Sequence, residues 1–133
     1  MKLIAPIEYL AAPPRIRDRI CNGTGSQGTP PWIVRILDSF HGWGIDFSPA
    51  SNIHDWMYHW SHGLFFWKIY ADLVFLANMI LLSVYAIGQK PLSRMIGNLV
   101  MFPARILRAA IYFAAVLLFG WYPFWYGTTK RPQ

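Results

Sequence analysis

The sequence predicts an all-α protein in a single domain over residues 1–133: a loop-rich segment 1–47, a helical hairpin 48–88 and a third, C-terminal helix within 89–133. Three observations predict this fold class. Five of the ten prolines fall within residues 1–31 and break that segment into short pieces. Long apolar stretches follow, and each is bounded by residues that begin or end helices. A chain of 133 residues can bury the core of two or three such helices and little more.

The hairpin is predicted from its helix boundaries. Ser48–Pro49 fits an N-cap followed by proline at the first helical position, so we expect a helix over about residues 49–60. A short turn at Ser61–Gly63 separates it from a longer helix that ends at Ile87, where Gly88 acts as the terminator. Two helices joined by so short a turn pack antiparallel to each other.

A third helical pattern covers residues 92–119. Pro103 falls inside this pattern and can bend the helix. The pattern ends in an aromatic run, Trp121–Tyr126.

The composition indicates that the chain has an apolar partner. Hydrophobic residues make up 55% of the sequence and charged residues only 14%, against about 25% charged in typical soluble domains. The 12 lysines and arginines, against 6 acidic residues, are interleaved with long apolar runs. That combination suits anionic lipid headgroups above a buried apolar face better than it suits nucleic acid. We therefore expect a phospholipid membrane as partner, with a protein assembly or a homo-oligomer as the alternative.

The sequence favours peripheral over integral membrane association. Residues 73–89 and 109–129 are uncharged, and the second run is long enough to span a bilayer. Gly120 and Pro123 interrupt that second run and Asp72 directly precedes the first, so buried core helices are the preferred interpretation. No cleavable secretion signal is expected, because Glu8 and a proline pair precede any apolar run of the required length.

A histidine and an aspartate can face each other across the hairpin. If the turn is centred near Gly63, His54 lies eight to nine residues before it and Asp72 about nine to ten after it, so the two side chains lie at nearly the same height. A buried carboxylate needs a partner, and an imidazole N–H can supply one. Tyr58 lies one helical turn beyond His54, so its hydroxyl can reach the same place. An imidazole held in one tautomer by a carboxylate is a general base that can activate water.

Asp55 is expected to serve a different purpose from that of Asp72. Adjacent helical residues are about 100° apart, so Asp55 points away from the His54–Asp72 contact and is available to bind a hard cation. The glycine-rich segment Cys21–Gly28 can turn main-chain carbonyls towards such an ion. Its cysteine is the only one in the chain, so no intramolecular disulfide can form.

These motifs resemble those of the phospholipase A2 family. The run Asn52–Tyr58, NIHDWMY, looks like the HDxxY helix of secreted phospholipases A2, and Ala71–Phe75, ADLVF, looks like the ADxxF motif of their short viral and bacterial relatives. The CNGTG stretch is similar to the glycine-rich calcium loop. The match covers roughly residues 20–80. The chain also resembles small bacterial and phage-associated proteins with a CNGxG loop and an IHDWMY helix, which extends the match to Gly127.

The resemblance implies a role for each matching residue. His54 would be the general base, Asp72 its orienting carboxylate and Tyr58 a supporting hydrogen bond. It also implies a calcium ion held by four residues, namely Asp55 and the main-chain carbonyls of Cys21, Gly23 and Gly25. The implied activity is calcium-dependent hydrolysis of glycerophospholipid esters at a membrane surface by a water that the His-Asp pair activates.

The chain departs from the secreted enzymes in two respects. Their cysteines around the HD pair are replaced by Ala50, Ser51 and Met57, and the spacing from loop to histidine is longer. The alternative to an enzyme is a small non-enzymatic membrane-associated or assembly protein that keeps a phospholipase A2-like scaffold.

Overall fold

The fold was analysed in a computed structural model of the chain, which describes residues 1–21, 31–32, 35, 45–61, 63–121 and 124. In these residues all regular secondary structure is helical, which confirms the all-α prediction. The helices are α1 (Ile7–Ala11), α2 (Pro14–Ile20), α3 (Ser48–Trp60), α4 (Phe65–Ile87) and α5 (Leu92–Phe119). The N-terminal segment contains short pieces, as its prolines predict, and two of these are the helices α1 and α2.

The three long helices begin and end close to the predicted residues. Helix α3 carries a proline in its first turn, where the missing N–H costs no helical hydrogen bond. The turn from α3 to α4 contains Gly63 at φ 74°, a conformation that glycine adopts without steric cost. Helix α5 continues through Pro103 as one helix.

The core consists of two clusters, both centred on α4. The first joins the start of α3 to the middle of α4 and α5, and its buried members are Phe47, Ala50, Phe75, Met79, Ala109 and Tyr112. The second joins the rest of α3 to the first half of α4, and its buried members are Ile53, Met57, Tyr58, Ala71, Val74 and Phe124. Helix α3 therefore covers only the first part of α4, and α4 continues beyond it with α5 as its partner.

Two polar anchors fix the remaining segments to this core. The side chain of Asn78 accepts a hydrogen bond from the backbone N–H of Ile4 and donates one to its carbonyl, both at 2.8 Å. This pairing places the N-terminal residues over the second cluster. Arg108 donates to the carbonyl of Ile45 at 3.0 Å, and its guanidinium lies 4.6 Å from the ring centroid of Phe47.

Helices α4 and α5 are both long and apolar enough to cross a membrane, judged by length and composition alone. This observation is compatible with the membrane association that the composition predicts.

Candidate active site

The hairpin brings His54 and Asp72 into direct contact. Imidazole Nε2 lies 2.9 Å from carboxylate Oδ1, as the equal heights of the two residues in the hairpin predict. The histidine is 6% exposed and the aspartate is fully buried. The carboxylate can only accept, so in the neutral imidazole Nε2 carries the proton and Nδ1 keeps a lone pair.

Tyr58 contacts the same carboxylate oxygen, as its position one turn after His54 predicts. Its hydroxyl donates to Asp72 Oδ1 at 2.5 Å. Its ring also packs against the imidazole, with centroids 4.0 Å apart, and Phe75 lies on the imidazole at 4.9 Å. The ring of His54 is thus held by a hydrogen bond at one nitrogen and by aromatic neighbours, which fixes its orientation.

The sequence reasoning missed Lys68 as a member of this site. Its ammonium is fully buried and donates to the second oxygen of Asp72, Oδ2, at 2.5 Å. It also donates to the carbonyl of Val116 at 3.1 Å and lies 4.5 Å from the centroid of the Trp121 ring. The carboxylate therefore has partners on both oxygens, and its charge is balanced by a cation. The i,i+4 spacing of Lys68 and Asp72 was the signal that could have identified the pair.

The surroundings of His54 favour its protonated form. Burial lowers the pKa of the imidazole, but hydrogen bonds and charge from Asp55 and Asp72 outweigh it and raise the pKa above the ordinary 6.5. Burial, and then the charge of Asp72, raise the pKa of Tyr58. The phenol is consequently protonated at neutral pH and can donate its hydrogen bond to Asp72.

Asp55 lies nearer to the imidazole than the sequence argument assumed. Its Oδ1 is 3.9 Å from Nδ1 of His54, the ring nitrogen that Asp72 does not contact. Asp55 therefore stays outside the His54–Asp72 contact, as predicted, but it lies beside the opposite nitrogen of the same ring.

Cys21 lies beside this acidic group. Its thiol donates to the carbonyl of Asn52 at 3.1 Å, one turn before Asp55. Burial, followed by the charge of Asp55, raises the pKa of the thiol to about 11. The start of the glycine-rich segment is thus anchored on the Asp55 side of α3, where a loop that supplied carbonyls to a cation beside Asp55 would have to begin.

Gly23 and Gly25, the other two residues of the predicted calcium site, lie outside the described residues. Among the residues that the structure does describe, no three histidine, cysteine, aspartate or glutamate side chains converge as a metal site would require. A calcium ion at this position would therefore depend on main-chain oxygens for most of its ligands.

No protein-family model matches the chain, and no curated protein or solved structure matches it either. The geometry of the site is therefore the basis for inferring what the protein does.

Proposed function

We propose that the protein hydrolyses glycerophospholipid esters at a membrane surface by a phospholipase A2-type mechanism that depends on calcium. The observation that carries this proposal is the buried contact of His54 with Asp72, which leaves Nδ1 as the basic nitrogen. Two carboxylates, one at each ring nitrogen, distinguish this arrangement from a histidine that only fills space in a core.

In the proposed reaction, Nδ1 of His54 removes a proton from water while the water oxygen bonds to the acyl carbon. The imidazolium then gives that proton to the departing glycerol oxygen as the ester C–O bond breaks, and the products are a fatty acid and a lysophospholipid. Asp72 stabilises the transient imidazolium, and Tyr58 and Lys68 keep Asp72 in place through hydrogen bonds. No covalent intermediate is needed.

The calcium ion would be held by Asp55 together with the carbonyls of Cys21, Gly23 and Gly25. It would polarise the ester carbonyl and stabilise the oxyanion. The anchoring of Cys21 on α3 beside Asp55 supports this part of the proposal, because it brings one end of the loop to the carboxylate.

The direct test is release of fatty acid from mixed phospholipid vesicles. His54→Ala should reduce the rate about 100-fold or more, since a positioned general base contributes about 10²–10⁴ in rate. His59→Ala is the matched control, because it makes the same substitution five residues further along α3. Equal activity of His54→Ala and the natural chain, with helical content unchanged by circular dichroism, would refute the mechanism.

Asp55→Asn tests the metal separately. The activity of the natural chain in calcium should fall when a chelator is added. We expect Asp55→Asn to show a similarly low activity even in calcium, because the amide cannot replace the charge of the carboxylate. Hydrolysis that is unaffected both by chelator and by Asp55→Asn would exclude calcium while leaving the histidine mechanism in place.

The second candidate function is a non-enzymatic membrane-associated or assembly protein. It is favoured by the contact of Lys68 with Asp72, which could make the aspartate a structural counter-ion, and by the small exposed fraction of His54. Absence of fatty acid release from any vesicle composition, combined with normal folding, would support this function over hydrolysis.

A further inference from the structure

The polarity of α4 is the reverse of that found in a water-exposed amphipathic helix. Its interior-facing side carries, among apolar core residues, all of the fully buried polar residues Lys68, Asp72, Asn78 and Ser83. Its outward side is apolar, with exposed large side chains at Phe66, Trp67, Tyr70, Leu73, Ile80, Leu81, Val84 and Tyr85. A helix that faces water places its polar residues outward and its apolar stripe inward. The outward side of α4 therefore fits an apolar environment.

Helix α5 shows the same reversal. Arg105 and Arg108 are buried in the interior, where they are hydrogen-bonded to Asn98 and Ile45. The outward side exposes apolar side chains along most of the helix, namely Leu92, Met95, Ile96, Leu99, Val100, Leu107 and Leu118. Val100 is 72% exposed, more than any other apolar side chain of this helix. Ionisable groups that turn inward while hydrocarbon faces outward are typical of helices in lipid.

The outward residues of α4 are also ordered by type along the helix. Aromatic side chains come first, at Phe66, Trp67 and Tyr70, and one follows at the other end, at Tyr85. Aliphatic side chains lie between them. Trp and Tyr prefer the two interfaces of a bilayer, and aliphatic residues prefer its centre. From Phe66 to Val84 the helix rises about 27 Å at 1.5 Å per residue, close to the hydrocarbon thickness of about 30 Å.

Basic residues lie at the end of this apolar surface. Lys90 is exposed in the connection between α4 and α5, and Arg94 is exposed in the first turn of α5. These are the only charged residues from 73 to 104. Two cations directly after an apolar surface match the negative charge of lipid headgroups.

We propose that lipid acyl chains cover the outward sides of α4 and α5, so that this hairpin is an integral membrane element. A second copy of the chain fits the surface less well, because the order of aromatic and aliphatic residues along α4 and the two cations at its end match a bilayer. The proposal replaces the peripheral association expected from sequence. It is independent of hydrolysis, since the lipid-facing residues lie outside the His54–Asp72 site.

Single-cysteine labelling tests the proposal in vesicles of phosphatidylcholine and phosphatidylglycerol. Cys21→Ser removes the only cysteine, and Ile80→Cys or Leu99→Cys then places a fluorescent label on the outward side. Ser93→Cys is the control, because Ser93 is exposed in the first turn of α5 beside Arg94. At positions 80 and 99 we expect lipids with nitroxide-labelled acyl chains to quench the label, and iodide on both sides of the membrane to quench it little. At position 93 we expect strong quenching by iodide and little quenching by the nitroxide lipids.

Two results would overturn the proposal. Equal iodide quenching at all three positions of vesicle-bound protein would mean that the outward sides face water. Protection from iodide without nitroxide quenching at positions 80 and 99 would mean that another protein surface covers them.

A charge substitution provides a second measurement. Val84→Lys should lower the fraction of protein that resists carbonate extraction, while Val84→Leu should leave it unchanged; equal resistance of the two variants would contradict the lipid contact. His54→Ala should resist carbonate extraction as the natural chain does, although it should lose fatty acid release. The two measurements therefore distinguish a failure of the membrane proposal from a failure of the hydrolysis proposal.

Discussion

The buried pair of Lys68 and Asp72 gives the sharpest energetic test of the site. Both side chains are fully buried, and the ammonium has acceptors in Asp72 and in carbonyls near the end of α5. Lys68→Met keeps the unbranched apolar stem of the side chain but leaves the carboxylate without its cation. Removing one partner of a buried pair costs about 3–5 kcal/mol, because the remaining charge stays out of water. We expect the free energy of unfolding to fall by that amount.

His54 determines how this loss depends on pH. Its pKa in the folded protein already lies above the ordinary 6.5 because of the two carboxylates, and loss of Lys68 should raise it further. A group with a raised folded pKa contributes stability that is fully present below its unfolded pKa and is lost as the pH rises through the folded pKa. Protonated His54 can therefore replace the missing cation at pH 5 but not at pH 9. The destabilisation by Lys68→Met should be smaller at pH 5.

The assay is urea unfolding in mild detergent, followed by circular dichroism, for Lys68→Met, Asp72→Asn and the double variant. The double variant should lose less than the sum of the single variants, with a coupling of about 1–3 kcal/mol, since neither charge is left alone. Additive losses, or a loss below about 1 kcal/mol for Lys68→Met at pH 9, would refute the view that the pair balances charge in the core.

Three further predictions concern the site and its neighbours. The hydrolysis rate should rise with pH to a plateau, with a midpoint above 6.5 because a base must be neutral and the pKa of His54 is raised; a midpoint at or below 6.5 would contradict this. Tyr58→Phe should lower the free energy of unfolding by about 1.5–3 kcal/mol, because the carboxylate of Asp72 loses a donor, and denaturant unfolding measures it. Gly120→Ala should destabilise by about 1–3 kcal/mol, since its Cβ would clash with the backbone carbonyl oxygen of Val116 and lie 2.7 Å from the hydroxyl of Tyr58. Gly97→Ala is the matched control, because its Cβ meets nothing within 4 Å. In the same assay its free energy of unfolding should rise by about 0.5–1 kcal/mol. Equal losses of stability in the two alanine variants would rule out the steric explanation.

The contact of His54 with Asp72 could be predicted because it depends only on helical spacing and on a short turn. Tyr58 follows from the same periodicity. The same spacing could have paired Lys68 with Asp72, but it could not predict the burial of Lys68, which depends on where the last carbonyls of α5 meet the start of α4. The pairing of Asn78 with Ile4 joins residues 74 positions apart, and no local pattern encodes such a contact.

Peripheral association is expected from the sequence only if a helix that carries a charged residue cannot contact lipid. On this assumption the uncharged runs are core helices, and Asp72 is evidence against insertion of the first run into a bilayer. In the structure, α4 turns Lys68 and Asp72 inward as a balanced pair and directs apolar residues outward. A charged residue argues against contact with lipid only when its partner is missing.

The catalytic and membrane proposals are connected through the position of the site along α4. Lys68 and Asp72 lie in the first half of the helix, the half whose outward side carries Phe66, Trp67 and Tyr70. If these aromatic residues mark an interface of the bilayer, the site lies towards the level of the glycerol esters rather than at the bilayer centre. A hydrolase anchored in this way would meet its substrate by diffusion within the membrane plane. Its rate should then depend on the concentration of substrate in the bilayer at constant total lipid, and hydrolysis that depended only on the bulk concentration would contradict this connection.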